Sequence, residues 1–239
     1  MVLQKGKWID HLWFSNEPTM SLHTIYKQAQ LSKQYWWLKK VPFYTKHIDL
    51  KQSEAELWEQ LEKTTKYEIN RATKRDLIQI EPETDWGLII DYHQKFAAAR
   101  NLSPLSLNHL KSYGDNLQVT KAYSPTYDQI TGINILLMDK NLKRARGLFT
   151  ASLVEDNMET KKRRMIGRAN RLHIYSNFLL AKEAGFEVFD LGGYALNTND
   201  KTMMGINKFK DCFGGELIEE SHYYPIWIYW LKQLLGRPI

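Results

Sequence analysis

Apolar positions along the chain alternate between a period near two and a period near 3.6, and the switches between them mark out strands and helices. Residues 34–50 (QYWWLKKVPFYTKHIDL) are rich in aromatic and branched side chains and are divided by Pro42, which predicts two strands or one strand with an edge break. Ser53 with Glu56 three positions on has capping-box spacing. It opens a helical pattern over 54–76, where Leu57, Leu61, Ile69 and Ala72 recur on faces among Lys63, Lys66, Arg71, Lys74 and Arg75. A short strand is expected at 77–81, amphipathic helices at 85–100 and 106–113, and a strand at 116–122. Residues 128–138 and 143–153, joined across Asp139-Lys140-Asn141, predict a hairpin of two long strands.

A basic loop over 159–168 then leads into a helix from about residue 170 to 184, which Gly185 stops where a left-handed residue is favoured. A buried strand at 186–191 closes on Gly192-Gly193, and a polar loop at 197–201 precedes a short helix at 204–213. A strand at 216–223 and an aromatic helix at 225–235 end the chain. This order predicts an α/β (α+β) fold, a mixed sheet flanked by helices. No internal repeat, low-complexity tract or Gly/Ser/Pro linker is present, so any lobes are packed together rather than tethered.

A chain of 239 residues buries a sizeable core without staples. Its one cysteine, Cys212, excludes an intrachain disulfide and a cysteine metal cluster, and points to a reducing, cytoplasmic location. The first ten residues lack the apolar core of a signal peptide, and nowhere do about 18 apolar residues run together as a spanning helix requires. The net charge of +6 favours polyanionic partners, whether nucleic acid, CoA phosphates or anionic lipid. His93, His109 and His173 fall on expected helices without ligand spacing, so no metal is expected.

Three segments carry candidate chemistry. Arg164-Met-Ile-Gly167-Arg168-Ala169 follows an expected strand and opens an expected helix, and its small residues let backbone N–H groups approach a phosphate. Lys161, Lys162, Arg163, Arg164, Arg168 and Arg171 surround it, suiting either CoA phosphates or a tRNA acceptor end; the plainer reading is a solvated basic loop. Arg164, Gly167, Arg168, Ala169 and Asn170 are therefore the candidate cofactor-binding residues.

The second segment is Phe189-Asp190-Leu-Gly192-Gly193-Tyr194, and the third is Gly205-Ile-Asn-Lys-Phe209-Lys210-Asp-Cys212-Phe213-Gly214. Asp190, at a strand end, either orients an amine and accepts its proton or caps the Gly192-Gly193 turn. Tyr194 either lines a pocket as an acid or is an ordinary half-buried tyrosine. Ile206, Phe209, Cys212 and Phe213 share one helical face, which leaves Lys208, Lys210 and Asp211 off it and makes Cys212 a packing residue.

A strand ending in D-L-G-G followed downstream by G-I-x-x-F-K-x-x-F-G resembles the C-terminal signature of the Fem family of aminoacyl transferases. The helix through Ala184-Gly185 and the stretch KYEINRATKRDLIQIE (66–81) are similar to that family's preceding helix and to its basic helix and strand, and R-x-x-G-x-A resembles a GNAT pyrophosphate loop. The resemblance, over roughly residues 45–223, implies a GNAT-like fold with an abbreviated N-terminal lobe and basic helix (1–84) and a complete acyltransferase lobe (85–239). It implies an enzyme forming amide bonds, with aminoacyl-tRNA as co-substrate rather than a permanently bound cofactor. By position, Lys210 is the lysine that supports the tetrahedral intermediate or a tRNA phosphate, Phe209 and Gly193 lie on the substrate side, and Asp190 and Tyr194 are the accompanying catalytic candidates. The short first lobe and the missing helical arm imply a small peptide, sugar or other cell-wall-related amine as acceptor. The alternative donor is acyl-CoA, acting on an amino sugar or small amine. Finally, YYPIWIYWLKQLL (223–235) is too short to span a bilayer and either packs in the core or a dimer or rests on a membrane surface.

Overall fold

The computed structural model describes residues 1–31, 33–153 and 158–236. Ten strands form one mixed sheet: β1 (Val2–Gln4), β2 (Asp10–Trp13), β3 (Thr24–Ala29), β4 (Leu38–Asp49), β5 (Gln79–Pro82), β6 (Leu117–Ser124), β7 (Gln129–Asp139), β8 (Arg144–Ala151), β9 (Val188–Gly193) and β10 (Glu216–Pro225). Their spatial order is β1-β2-β3-β10-β4-β9-β8-β7-β6-β5. The helices are α1 (Glu54–Glu59), α2 (Lys63–Lys74), α3 (Trp86–Ala99), α4 (Leu107–Lys111), α5 (Thr160–Glu183), α6 (Lys201–Asp211) and α7 (Ile226–Leu234). The mixed sheet with flanking helices expected from the sequence is the architecture observed. None of the helices among the described residues is long and apolar enough to cross a membrane.

Alternate residues of β7 separate the two layers around the sheet. Leu136 and Met138 join the α1, α2 and α5 side, where Ile48, Leu57, Phe178, Phe189 and Phe213 pack together. Ile133 and Ile135 face the other way, onto Ile89 and Tyr92 of α3 and Leu110 of α4.

Four local expectations need correction. Pro42 does not break its strand: β4 runs through it, paired to Ser221 of β10, and β9 joins the opposite flank only at Thr45. The missing N–H of Pro42 therefore falls where one flank of β4 demands no ladder. The single helical pattern over 54–76 divides into α1 and α2, because the Glu62 N–H is taken by the Cys212 carbonyl at 3.0 Å.

The expected basic loop at 159–168 is helix, since α5 begins at Thr160. Lys, Arg, Met and Ala there are good helix formers. Met165, Ile166 and Ala169 pack onto Ala72, Ile78 and Ala122, which outweighs the one Gly167. At the far end the expectation is met: Gly185 adopts φ +84° just beyond the Ala184 cap.

The N-terminal strands β1 to β3 had no counterpart in the sequence reading. They are short, and β2 runs parallel to β3 while β3 pairs with β10, from the other end of the chain. Neither arrangement leaves a hairpin signature.

Candidate active site

β8 and β9 are parallel neighbours for three residue pairs only, ending at Arg146 opposite Asp190. Beyond that point β8 continues beside β7 and β9 beside β4, so each has a strand partner on one side alone. β8 also bulges here, Gly147 and Phe149 pairing with the adjacent Leu136 and Ile135 and leaving Leu148 over. The Asp190-Leu-Gly-Gly segment closes the opening. Asp190 Oδ1 accepts the Gly192 N–H at 2.7 Å, and Gly192 sits at φ +78°, where an added Cβ would lie 3.2 Å from the Gly147 carbonyl oxygen.

Beneath this opening lies a buried polar network. Arg144 donates to Asp190 Oδ2 at 2.6 Å and to both Glu220 oxygens at 2.7 and 2.9 Å. Gln28 Nε2 donates to Asp190 and to Glu220 at 2.8 Å each, while its Oε1 accepts from Arg146. The Thr45 hydroxyl contacts Asp190 as well. Two guanidinium groups thus face two carboxylates and their charges cancel. Burial alone would raise the Asp190 carboxyl, yet Arg144 and Arg146 hold it well below the usual carboxylate range. The aromatic lid comes from the unanticipated N-terminal strands: Phe14 covers Arg144 at 4.1 Å and Trp13 covers Arg146 at 5.0 Å.

His47, Asp190 and Glu220 bring one ligand atom each within 4.8 Å of one another. That space is served by Arg144, whose Nη2 also lies 2.9 Å from His47 Nε2, so this nitrogen is the acceptor and the ring is neutral. Burial, with Arg144, holds the imidazole below its ordinary value, outweighing Asp190. Of the histidines on helices, His93 accepts the Leu105 N–H and His173 bonds Thr120 at 2.8 Å.

Lys210 approaches the opening from α6, a helix capped by Asp200 onto the N–H groups of Thr202 and Met203. Its ammonium donates to the Gly193 carbonyl oxygen. Burial, and then the charge of Arg146, lowers its pKa to about 8. The rest of the motif anchors this lysine. Asn207 makes two bonds to the backbone of Ala195, at 2.8 and 3.1 Å. Asp211 accepts from Lys46 at 2.6 Å and from the Tyr194 hydroxyl at 3.1 Å, and burial, with Asp211, raises that phenol. Phe213 and Cys212 are buried and Phe209 packs against the main core, but Ile206, expected on the same face, is exposed.

The second candidate cluster lies on α5. Arg168 is buried and makes a bidentate pair with Asp76 at 2.5 and 2.9 Å, and Ala169 is wholly buried. Gly167 lies inside the helix, where an added Cβ would meet only Arg171 Nη1 at 4.0 Å, so no close backbone approach depends on it. Asn170 lies beside Gly132 of β7. Arg164 instead lines a cleft of about 430 Å³ at the N-terminus of α5, with Arg71, Glu159, Thr160, Lys161 and Arg168. The α5 N-terminus carries no side-chain cap, and Arg71 Nε has no partner. An anion is the ligand that both features accommodate.

The fold thus gathers Asp190, Gly193, Tyr194 and Lys210 around the end of β9, while Phe209 of the same helix turns into the main core. Arg164 to Asn170 stand apart on α5, and Arg171 beyond them stacks on Phe209 at 5.4 Å. Sequence reasoning missed Gln28, Thr45, His47, Arg144, Arg146 and Glu220. Only Arg144 and Arg146 carried a signal, two charges at strand spacing in a strand, β8, whose other residues are uncharged.

No protein family matches the chain by sequence, and no curated protein matches it. Among solved structures, FemX superposes with a TM-score of 0.62 at 13% identity, covering 81% of this chain and 64% of FemX. L-PGS from Bacillus licheniformis gives 0.56 at 11% identity, covering 90% and 74%. The C-terminal domain of a putative lysylphosphatidylglycerol synthetase from Agrobacterium fabrum gives 0.54 at 14%, covering 84% and 67%. The chain spans just under two thirds of FemX. What it shares with these proteins is the fold, the Fem-like architecture that the sequence motifs implied.

Proposed function

We propose that this chain is an N-acyltransferase that moves an aminoacyl group from aminoacyl-tRNA to the amine of a small peptide, sugar or cell-wall-related acceptor. The observation that carries this reading is the half-buried Lys210 ammonium, fixed at the opening between β8 and β9 on the Gly193 carbonyl. Attack of the neutral acceptor amine on the ester carbonyl forms the C–N bond and shifts an electron pair to the carbonyl oxygen. Lys210 donates to that oxyanion, and a preset cation in a partly dry site favours it over the uncharged ester. Collapse breaks the ester C–O bond, and the proton leaving the amine ends on the ribose hydroxyl. Tyr194, held by Asp211, stands near Lys210 to relay it. Asp190, with its oxygens already engaged and its charge stabilised, acts here as a positioning group for the Gly192-Gly193 turn rather than as a base.

Donor phosphates fit the basic face that α5 and α2 share. Lys161, Arg163 and Arg164 of α5 and Lys63 and Lys74 of α2 are exposed on neighbouring helices, and Tyr67 is 61% exposed between them, a platform for a base. A second reading, with acyl-CoA as donor, is favoured by the compact cleft at the α5 N-terminus, of a size for a pyrophosphate. Titration of the protein with charged total tRNA and with acetyl-CoA at one fixed salt concentration separates the two. Tight CoA binding without tRNA binding overturns the aminoacyl reading, and binding of neither overturns both.

A further inference from the structure

α7 carries its apolar stripe outward. Trp227, Trp230, Leu231 and Leu234 follow the i, i+3, i+4, i+7 spacing of one helical face, and Trp230 and Leu234 are 64% and 85% exposed. The helix is held from beneath by Ile228, packed on Ile25 and Tyr224, so the stripe is not a core face turned the wrong way. The surface continues sideways. The Trp227 indole donates to the Leu22 carbonyl at 2.7 Å, and Leu22 is exposed. The Ile226 N–H bonds the Trp37 carbonyl, and the exposed Trp36 lies edge-on to Trp37.

Lysines outnumber acids around this patch, where Asp10, bonded to the His23 backbone beside Trp227, is the nearby carboxylate. Residues 18–48 and 221–236, which build it, contain no Asp or Glu. Lys39 lies over the Tyr229 ring at 5.6 Å and Lys232 over the Tyr224 ring at 5.2 Å. A second copy of the chain on a two-fold axis would bring these lysine rims together. Indole rings at the centre and ammonium groups at the rim instead match the boundary between acyl chains and anionic headgroups.

We propose that α7, with Leu22 and Trp36, is a docking surface for an anionic lipid bilayer, on which the protein lies without crossing it. The proposal does not rest on acyl transfer and is tested without donor or acceptor. The full chain is sedimented with vesicles of phosphatidylcholine alone and with vesicles in which roughly a third of the lipid is phosphatidylserine. Binding is expected on the anionic vesicles, weakened by added salt, and reduced at least about tenfold in the Trp230→Ser/Leu234→Ser variant. Both side chains are exposed, and far-UV circular dichroism checks that the variant remains folded. Lys39→Glu/Lys232→Glu is expected to abolish the preference for the anionic vesicles. Absence of binding to anionic vesicles, or equal binding by the Trp230→Ser/Leu234→Ser variant, overturns the proposal. So does a dimer in analytical ultracentrifugation that this variant dissolves while the parent chain ignores vesicles, since the occupant is then a second copy.

Discussion

The ammonium of Lys210 donates to the carbonyl oxygen of Gly193, joining α6 to the end of β9 at the point where β9 and β8 stop pairing. A lysine in this position is expensive to keep charged, because burial and Arg146 both disfavour the ammonium. A cation held at that cost, aimed at an oxygen, is suited to the oxyanion of acyl transfer.

Lys210→Met is therefore expected to lower kcat by about 10²–10³ while leaving tRNA affinity close to the parent value. Single-turnover transfer and a separate binding titration measure the two effects. Unchanged kcat would remove Lys210 from the chemistry.

The same group sets a pH limb. Activity that needs the ammonium declines as pH rises through about 8, and Lys210→Arg moves that limb to higher pH. For stability the sign is opposite. Between pH 8 and 10.5 the unfolded lysine holds a proton that the folded one has lost, so this group makes the fold more stable as pH rises through that window. The pH profiles of kcat and of urea unfolding report the two separately.

Arg144→Met leaves two buried carboxylates, Asp190 and Glu220, facing the single guanidinium of Arg146, and is expected to destabilise the fold by about 3–5 kcal/mol. Adding Glu220→Gln recovers part of that loss, because the two changes share one network. Urea unfolding of the single and double variants checks both statements, and additivity would contradict the network.

Gly167 and Gly215 are expected to respond to alanine in opposite directions. Gly167 lies inside α5 with open space, so Gly167→Ala stabilises by about 0.5–1 kcal/mol. Gly215 has φ +79°, and a Cβ there would lie 2.4 Å from the His47 carbonyl oxygen, so Gly215→Ala destabilises by about 1–3 kcal/mol or more. Thermal melts of the two variants suffice, and a loss of stability in Gly167→Ala would restore a strained loop at that position.

Acid should weaken the fold before its carboxylates titrate. Burial lowers His11 to about 4, and His173 and His222 to about 3, from 6.5. Below pH 6.5 the unfolded chain takes up protons that the folded chain refuses, so stability is present above that value and is lost progressively on acidification. Urea midpoints at pH 6.5 and pH 4 measure the fall, and His173→Gln is expected to flatten it. Equal midpoints would mean that these rings are protonated in the fold.

Much of the secondary structure was legible because its causes are local. Ser53 and Glu56 satisfy each other's end of α1 within three residues, and Gly185 ends α5 by its own backbone freedom. The β7–β8 hairpin follows from alternation on either side of a short turn. The D-L-G-G and G-x-x-x-F-K-x-x-F-G motifs also meet in space, where Asp190, Gly193, Tyr194 and Lys210 converge at the end of β9.

What each of these residues does there was decided only by tertiary structure. Arg168, read as a phosphate ligand, is spent on Asp76, a partner 92 positions away, and that pairing helps turn an expected loop into the first turns of α5. Asp190 could be a base or a structural acid on sequence grounds. Gln28, 162 positions away, Thr45, 145 away, and Arg144, 46 away, occupy its oxygens, which supports the positioning role proposed above. Local sequence determines where the chain bends and which side chains share a face, because those depend on near neighbours. The state of a charged group depends on which opposite charges and how much apolar surface the fold brings to it from distant segments, and no spacing within the chain contains that information.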